Sequence, residues 1–234
     1  MVDIGGPLDI VCAVTAIDLP EAPLIAEEAF DHSVTLLRSM GARELGHERA
    51  LRIHTPLPTL AMSRWESRQP GFAAASDAAR RLGFAPAIRP TGGRAAAYDE
   101  TCLVFDLVVR EDEGIDPQPL FASTSARLVS ELADMGVDAR VGAVPGEYCP
   151  GEYSINARGA VKLIGTSQRA VRGARLLSGV IALGAVDHLL PVLNAANTAL
   201  GLDWDPSTFG GLAAEIGRVD RQTVVDALIA ALAE

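Results

Sequence analysis

Two segments of the chain gather residue types able to do acyl chemistry. In one, Cys149 stands between Tyr148 and Pro150-Gly151, turn chemistry that leaves a thiol accessible. The chain then folds back through Arg158-Gly159, a hairpin turn signal, and returns with Lys162. Lys162 is thereby expected opposite the region just after Cys149. An ammonium beside a thiol lowers its pKa from a free value of about 8.5 and makes it a better nucleophile. Gly165 and Thr166-Ser167-Gln168 follow and offer N–H and hydroxyl donors to a developing oxyanion. The other segment is Arg89-Pro90-Thr91-Gly92-Gly93-Arg94, then Ala95-Ala96-Ala97-Tyr98-Asp99. Paired glycines let a backbone turn tightly and present amide N–H groups to a ligand. Arg89 and Arg94 bracket the turn and suit a phosphate or carboxylate, and three alanines leave a wall clear of bulk beside a long thin ligand. The double glycine alone fits a plain hairpin turn with two surface arginines better.

Lys162 carries a compositional argument as well. The basic residues are nineteen arginines and one lysine, and the lysine is Lys162. Arginine is effectively always charged and spreads its charge over a wide plane. Lysine titrates and places a compact ammonium beside a reacting carbonyl. A position that resists the chain's bias toward arginine is a position where that difference matters.

The elements that must hold these residues follow from periodicity. Residues 23–40, 117–135 and 220–232 read as amphipathic helices, the last capped by Asp220. Residues 76–82 form a short helix ended by Gly83. Residues 49–62, punctuated by Pro56 and Pro58, suit short strands joined by a turn, and 87–89, 102–110, 139–144, 152–157 and 160–164 are strand-like. Residues 175–183 are apolar, helix or strand. Helices interspersed with strand pairs, without regular alternation, predict an α+β fold with a central mixed sheet flanked by helices. The expected organisation is a single domain over 1–234, with 187–234 as a C-terminal helical extension.

Composition narrows the function. The chain has 234 residues, 49% apolar, and a formal net charge of −10, which argues against nucleic acid. No run approaches the roughly 20 apolar residues of a membrane span, and the N-terminus lacks a secretory pattern, so a cytoplasmic protein is expected. Three scattered cysteines suit free thiols. Cys12 and Cys102 sit in strand-like apolar runs, and none of the three has metal-ligand spacing. From 158 to 175 five basic residues occur without an acid: Arg158, Lys162, Arg169, Arg172 and Arg175. That stretch is either a docking surface for an anionic partner or a solvated face.

Both reactive segments resemble the biotin/lipoate protein ligase superfamily. Arg89 to Arg94 with Tyr98-Asp99 is similar to its arginine, double-glycine and His-Asp signature. Val161-Lys162-Leu163-Ile164-Gly165-Thr166-Ser167-Gln168 looks like the Lys-x-x-Gly-x-(Ala/Ser)-Gln motif of lipoate–protein ligases and octanoyltransferases, and residues 57–62 resemble the family's first core strand. The resemblance runs from about 23 to 183. It implies a class II biotin/lipoate ligase-like catalytic domain with a tunnel for an acyl chain. Lys162 would contact the acyl carbonyl, and Cys149 would carry the acyl group as a thioester, as in the cysteine-dependent branches. Arg89, Gly92, Gly93, Arg94, Gly165, Thr166 and Ser167 would line the substrate pocket. One departure stands out, since Tyr98 occupies the place of the family histidine and receives no catalytic role.

Three functions follow as expectations. The first is an octanoyl or lipoyl transferase needing no cofactor or metal, with octanoyl-acyl carrier protein or an acylated lipoyl domain as donor and a lipoyl-domain protein as acceptor. The second is an ATP-dependent lipoate–protein ligase requiring Mg²⁺. The third is a non-catalytic member that binds a lipoyl domain or fatty acid.

Overall fold

The structure is a computed structural model, described here over residues 15–111 and 116–233. Cys12 lies outside the described residues. A seven-stranded sheet forms the centre, built from β1 (Thr15–Asp18), β2 (Arg49–His54), β6 (Cys102–Glu111), β7 (Ala139–Val141), β8 (Ile155–Ala157), β9 (Val161–Val171) and β10 (Gly173–Ala182). Their order is β1-β2-β6-β10-β9-β8-β7. Only β1 and β2 run parallel, so the sheet is mixed. A small sheet of β3 (Thr59–Met62), β4 (Ala85–Ile88) and β5 (Ala96–Tyr98), with β3 in the middle, is separate.

Strand alternation assigns the two faces of the large sheet. On one face Leu51, Ile53, Leu103, Phe105, Leu107 and Leu177 pack against α3 (Gln118–Asp134) and α6 (Arg221–Leu232), which contribute Leu128, Leu132, Val224 and Leu228. On the other face α1 (Ala26–Gly41) lies across β6 and β10, with Leu37 and Met40 over Val108 and Leu176. Beside α1, on that same face, the small sheet is backed by α2 (Phe72–Arg81) and α4 (Leu190–Leu200). This is the expected α+β fold with a mixed sheet between helices.

The differences from the sequence reading have physical reasons. The strand expected at 160–164 continues to Val171, because β10 pairs with it from Ala174 to Ile181 and takes up its backbone groups. The polar run Thr166-Ser167-Gln168 is therefore strand rather than loop. Residues 175–183, apolar on both faces, are the central strand β10. The short helix begins earlier than expected, at Phe72, where a run of alanines propagates it. Strand β8 starts only at Ile155, because the preceding residues are tied down as a loop. Asp220 caps α6 as expected, accepting from the Thr223 N–H at 2.9 Å. Helix α4 and the short helix α5 (Leu212–Ile216) fall within the region read as an extension. Their Leu193, Ala196 and Leu212 are fully buried against the two sheets.

Candidate active site

A cavity of about 670 Å³, counted out to its open mouth, lies between the large sheet, the small sheet and α1. Cys149 and Lys162 both border it, on the chain segments that the hairpin brings together. The turn of that hairpin has Arg158 and Gly159 at φ 58° and 72°, closed by the Ala160 N–H on the Ala157 carbonyl at 2.9 Å. Two successive positive φ values are the type I′ geometry that matches strand twist.

Strand β9 carries an irregularity where it matters. Asn156 pairs with Lys162 but the next residue back, Ile155, pairs with Ile164, so Leu163 is an extra residue. Leu163 and Ile164 both enter the main core, and Lys162 is released to the cavity side, on the same side as Gly165. There the lysine is 2% exposed. Its Nζ donates to the Cys149 carbonyl at 2.6 Å, approaches Glu147 Oε1 at 3.4 Å, and lies 4.9 Å from the centre of the Tyr148 ring. An ammonium has three N–H donors, so one remains for an oxygen in the cavity. Gly165 makes room for it, since a Cβ there would stand 2.9 Å from Lys162 Cε.

The thiol is positioned from the other side. Cys149 Sγ accepts the Arg94 N–H at 3.1 Å, and Gly93, at φ +91°, lets the loop come that close. A Cβ on Gly93 would sit 3.1 Å from the sulfur and 2.9 Å from Arg89 Nη2, whereas one on Gly92 would meet nothing. Arg89 proves to be the clamp of this turn. Its guanidinium donates to the carbonyls of Gly92, Arg94 and Ala61 at 2.6–2.9 Å, so its donors are committed to backbone. Arg94 also borders the cavity, and its guanidinium has no partner among the described residues. Thr91 and Ser167 are joined at 2.7 Å, which ties the glycine turn to β9.

Two buried carboxylates that the sequence reading passed over fix the geometry. Glu147, 1% exposed, accepts from the Val144 and Gly151 N–H groups and the Ser154 hydroxyl, pinning the loop that carries Cys149. Glu66, 0% exposed, accepts from the Ser63 N–H and hydroxyl and from the Ala95 N–H at 2.7 Å, pinning the loop that carries Arg94. Ser63 and Glu66 bond reciprocally as a capping box, and the Ser-x-x-Glu spacing was the available signal. A third omission is Asp106, the one acid in the apolar run of β6. It borders the cavity and accepts from the hydroxyls of Ser33 and Ser178.

The remaining residues sort by environment. Burial pushes the Tyr98 and Tyr148 hydroxyls above the ordinary phenol value, so both stay protonated. Burial pushes the Cys102 thiol up to about 11, which makes it an inert core residue as expected. Asp99, next to Tyr98, is held by Thr101 and by His188 Nε2 at 2.8 Å. Burial works to raise its pKa, but those bonds outweigh it and hold the carboxyl below its usual range.

The five basic residues of 158–175, read as either a docking surface or a solvated face, do not gather on one surface. Lys162 and Arg175 are buried, Arg175 against Glu111. Arg158 is exposed but pairs with Glu215, Arg169 turns toward the Pro90 carbonyl, and Arg172 is exposed. The reason is strand alternation and pairing, which scatter neighbours in sequence over different surfaces. One exposed cation does occur beside the cavity mouth, where Arg64 and Trp65 share a hollow with the Gly92-Gly93 turn.

The arrangement is a thiol and an ammonium at one end of a largely apolar cavity, beneath a glycine turn. This fold, a central mixed sheet with flanking helices, is the class II biotin/lipoate ligase type, and the chain resembles that superfamily in sequence and in structure. Lipoate-protein ligase A bound with ATP superposes with a TM-score of 0.72 at 20% identity, over 93% of this chain and 83% of that one. A bi-partite lipoate protein ligase from Thermoplasma acidophilum, described with its E2 lipoyl domain, gives 0.62 at 18% identity, over 93% and 82%. More particularly, the chain is similar in sequence to curated proteins named octanoyl-[GcvH]:protein N-octanoyltransferase. That of an Exiguobacterium species is 30% identical over 148 residues, covering 63% of this chain and 51% of the relative. That of Exiguobacterium sibiricum is 34% identical over 115 residues, covering 49% and 42%. The chain thus spans about half the length of the curated relatives it matches. No protein-family model matches it. Among the described residues no helix is long and apolar enough to cross a membrane.

Proposed function

We propose that this chain is an acyltransferase that moves a medium-chain acyl group, octanoyl or lipoyl, onto the lysine of a lipoyl-domain protein through a thioester on Cys149. The observation that carries the reading is that Lys162 and Cys149 border one apolar cavity, with the lysine bonded to the cysteine's own carbonyl.

The steps follow from the groups present. Cys149 sulfur attacks the carbonyl carbon of a donor thioester, an acyl carrier protein or an acylated lipoyl domain. The free N–H of Lys162 Nζ meets the oxyanion that forms, in a site where such a donor acts without reorganising. The donor's sulfur leaves as its thiol, and the acyl group remains on Cys149. The amine of the acceptor lysine then attacks this thioester. The new C–N bond replaces the C–S bond, and the Cys149 thiol is restored. A thioester donor is already activated, so no nucleotide or metal enters. The relatives' names describe octanoyl held on GcvH as donor, and any acidic carrier would suit the exposed Arg64 and the unpartnered Arg94 at the mouth.

The test is intact-mass spectrometry after incubation with octanoyl-acyl carrier protein and with octanoylated lipoyl domain, nucleotide omitted. The expected result is one octanoyl adduct on Cys149, absent in Cys149→Ser. Transfer that depends strictly on ATP, with no adduct on Cys149, would overturn the reading in favour of a ligase using a lipoyl-adenylate.

A further inference from the structure

The inner end of the cavity is not apolar. Four residues line up across the sheet in register: Arg52 on β2, Asp106 on β6, Ser178 on β10 and Ser167 on β9. Asp106, 4% exposed, borders the cavity together with Ser33 of α1 and with Ser178. Its Oδ2 accepts the Ser33 hydroxyl at 2.6 Å, and its Oδ1 accepts that of Ser178. A carboxylate has about four lone-pair sites, so two acceptor positions remain after both serines are counted. Beside this row, His54 is 4% exposed and its Nδ1 has no partner among the described residues.

The reactive end is two strands away. Lys162 and Gly165 are on β9, and β10 separates them from Asp106 on β6, two spacings of about 4.8 Å. An extended octanoyl chain starting at Cys149 spans that distance, between Val104 and Val180 below and Ala61, Ala96 and Tyr98 above. Its last carbon would then press against a buried carboxylate, which leaves acceptor lone pairs dry and unfilled.

We infer that the pocket selects an acyl group carrying a hydrogen-bond donor at its far end, a hydroxyl or an amide-type N–H, over the plain hydrocarbon of the same length. Asp106 is the specificity-determining residue, with Ser33 and Ser178 orienting its oxygens. The inference rests on the reading that this cavity holds the acyl chain, and goes beyond it by asking for a polar tail that neither octanoyl nor lipoyl carries. It makes no use of Cys149 chemistry.

Calorimetric titration of the full chain with free octanoate, 8-hydroxyoctanoate and 8-methoxyoctanoate tests it without any transfer step. The hydroxy acid is expected to bind about tenfold or more tighter than octanoate, as for one hydrogen bond to a charged group. The methoxy acid, which accepts but cannot donate, is expected to bind no better than octanoate. In Asp106→Asn, which keeps the shape, and in Ser33→Ala, the preference should fall to about threefold or less. Octanoate binding as tightly as the hydroxy acid, a methoxy acid matching it, or an undiminished preference in both variants would each overturn the inference. So would a failure of all three acids to bind. A chain that discriminates among the acids yet never forms the Cys149 adduct would refute the transfer reading and leave this one standing.

Discussion

Cys149 and Cys102 are a natural control for one another. Both are free thiols, yet one opens on the cavity and accepts an N–H bond, and the other is held by burial at a pKa of about 11. At pH 8 Cys102 is protonated and enclosed, so iodoacetamide is expected to alkylate Cys149 in the folded chain and Cys102 only after denaturation, as peptide mapping would show. Lys162 gives the sharper prediction. Arginine keeps the charge but replaces a compact three-donor head with a planar fork in a space bounded by Glu147, the Tyr148 ring and Gly165. Lys162→Arg is expected to lower the acyl-transfer rate by about two to three orders of magnitude, the scale of one oxyanion donor. That Cys149 and Lys162 come together was legible from the turn and the hairpin between them. The place of Glu147 was not, because a buried acid announces itself only through the N–H groups around it, and those come from loops that local patterns do not place; Glu66 showed only in the Ser63-to-Glu66 spacing. Asp106 was visible as an interruption in Leu103-Val104-Phe105-Asp106-Leu107-Val108, and an acid in a strand buried on both faces warranted a question.

At the scale of elements, the glycine turn and the β8–β9 hairpin act as two jaws, each anchored by its own carboxylate. The sequence reading found both turns, since Gly-Gly and Arg-Gly are strong local signals. It left Arg89 between a ligand and a plain turn; Arg89 borders the cavity, and its guanidinium also holds its own loop. Which of the two glycines matters could not be read from composition either. Only Gly93 combines positive φ with the approach to sulfur. Gly93→Ala is expected to cost about 1–2 kcal/mol of stability from the left-handed backbone. It should also slow alkylation and acylation of Cys149 by pushing the sulfur aside, while Gly92→Ala leaves both near wild type. Chemical denaturation and thiol-labelling kinetics on the two variants separate these effects. Strand β9 ran longer than its sequence suggested because pairing with β10 outweighs the weak local preference of a polar run.

For the molecule as a whole, the two faces of the large sheet divide the work. One face, under α3 and α6, is mainly hydrocarbon, edged by Arg49 and the Arg175–Glu111 pair, and the other holds the cavity and its polar row. The C-terminal helix is therefore a stabilising element distant from chemistry. Leu228→Ala, at a site 2% exposed, is expected to cost about 2–5 kcal/mol in urea unfolding while leaving turnover of the folded fraction unchanged. The mixed sheet between helices was legible in the order of periodic segments. The partition of its faces was not, because it depends on which strands lie next to one another, and β2, β6 and β10 are far apart in sequence. The extra residue in β9 joins these levels. Strand alternation makes parity a form of addressing, and Leu163 changes the address of everything before it. Regular alternation through the same residues would send the chain's sole primary amine side chain into oil and a leucine into the cavity, with composition and motif spacing untouched. The irregular pairing in that strand is thus as much a part of the site's specification as residue type.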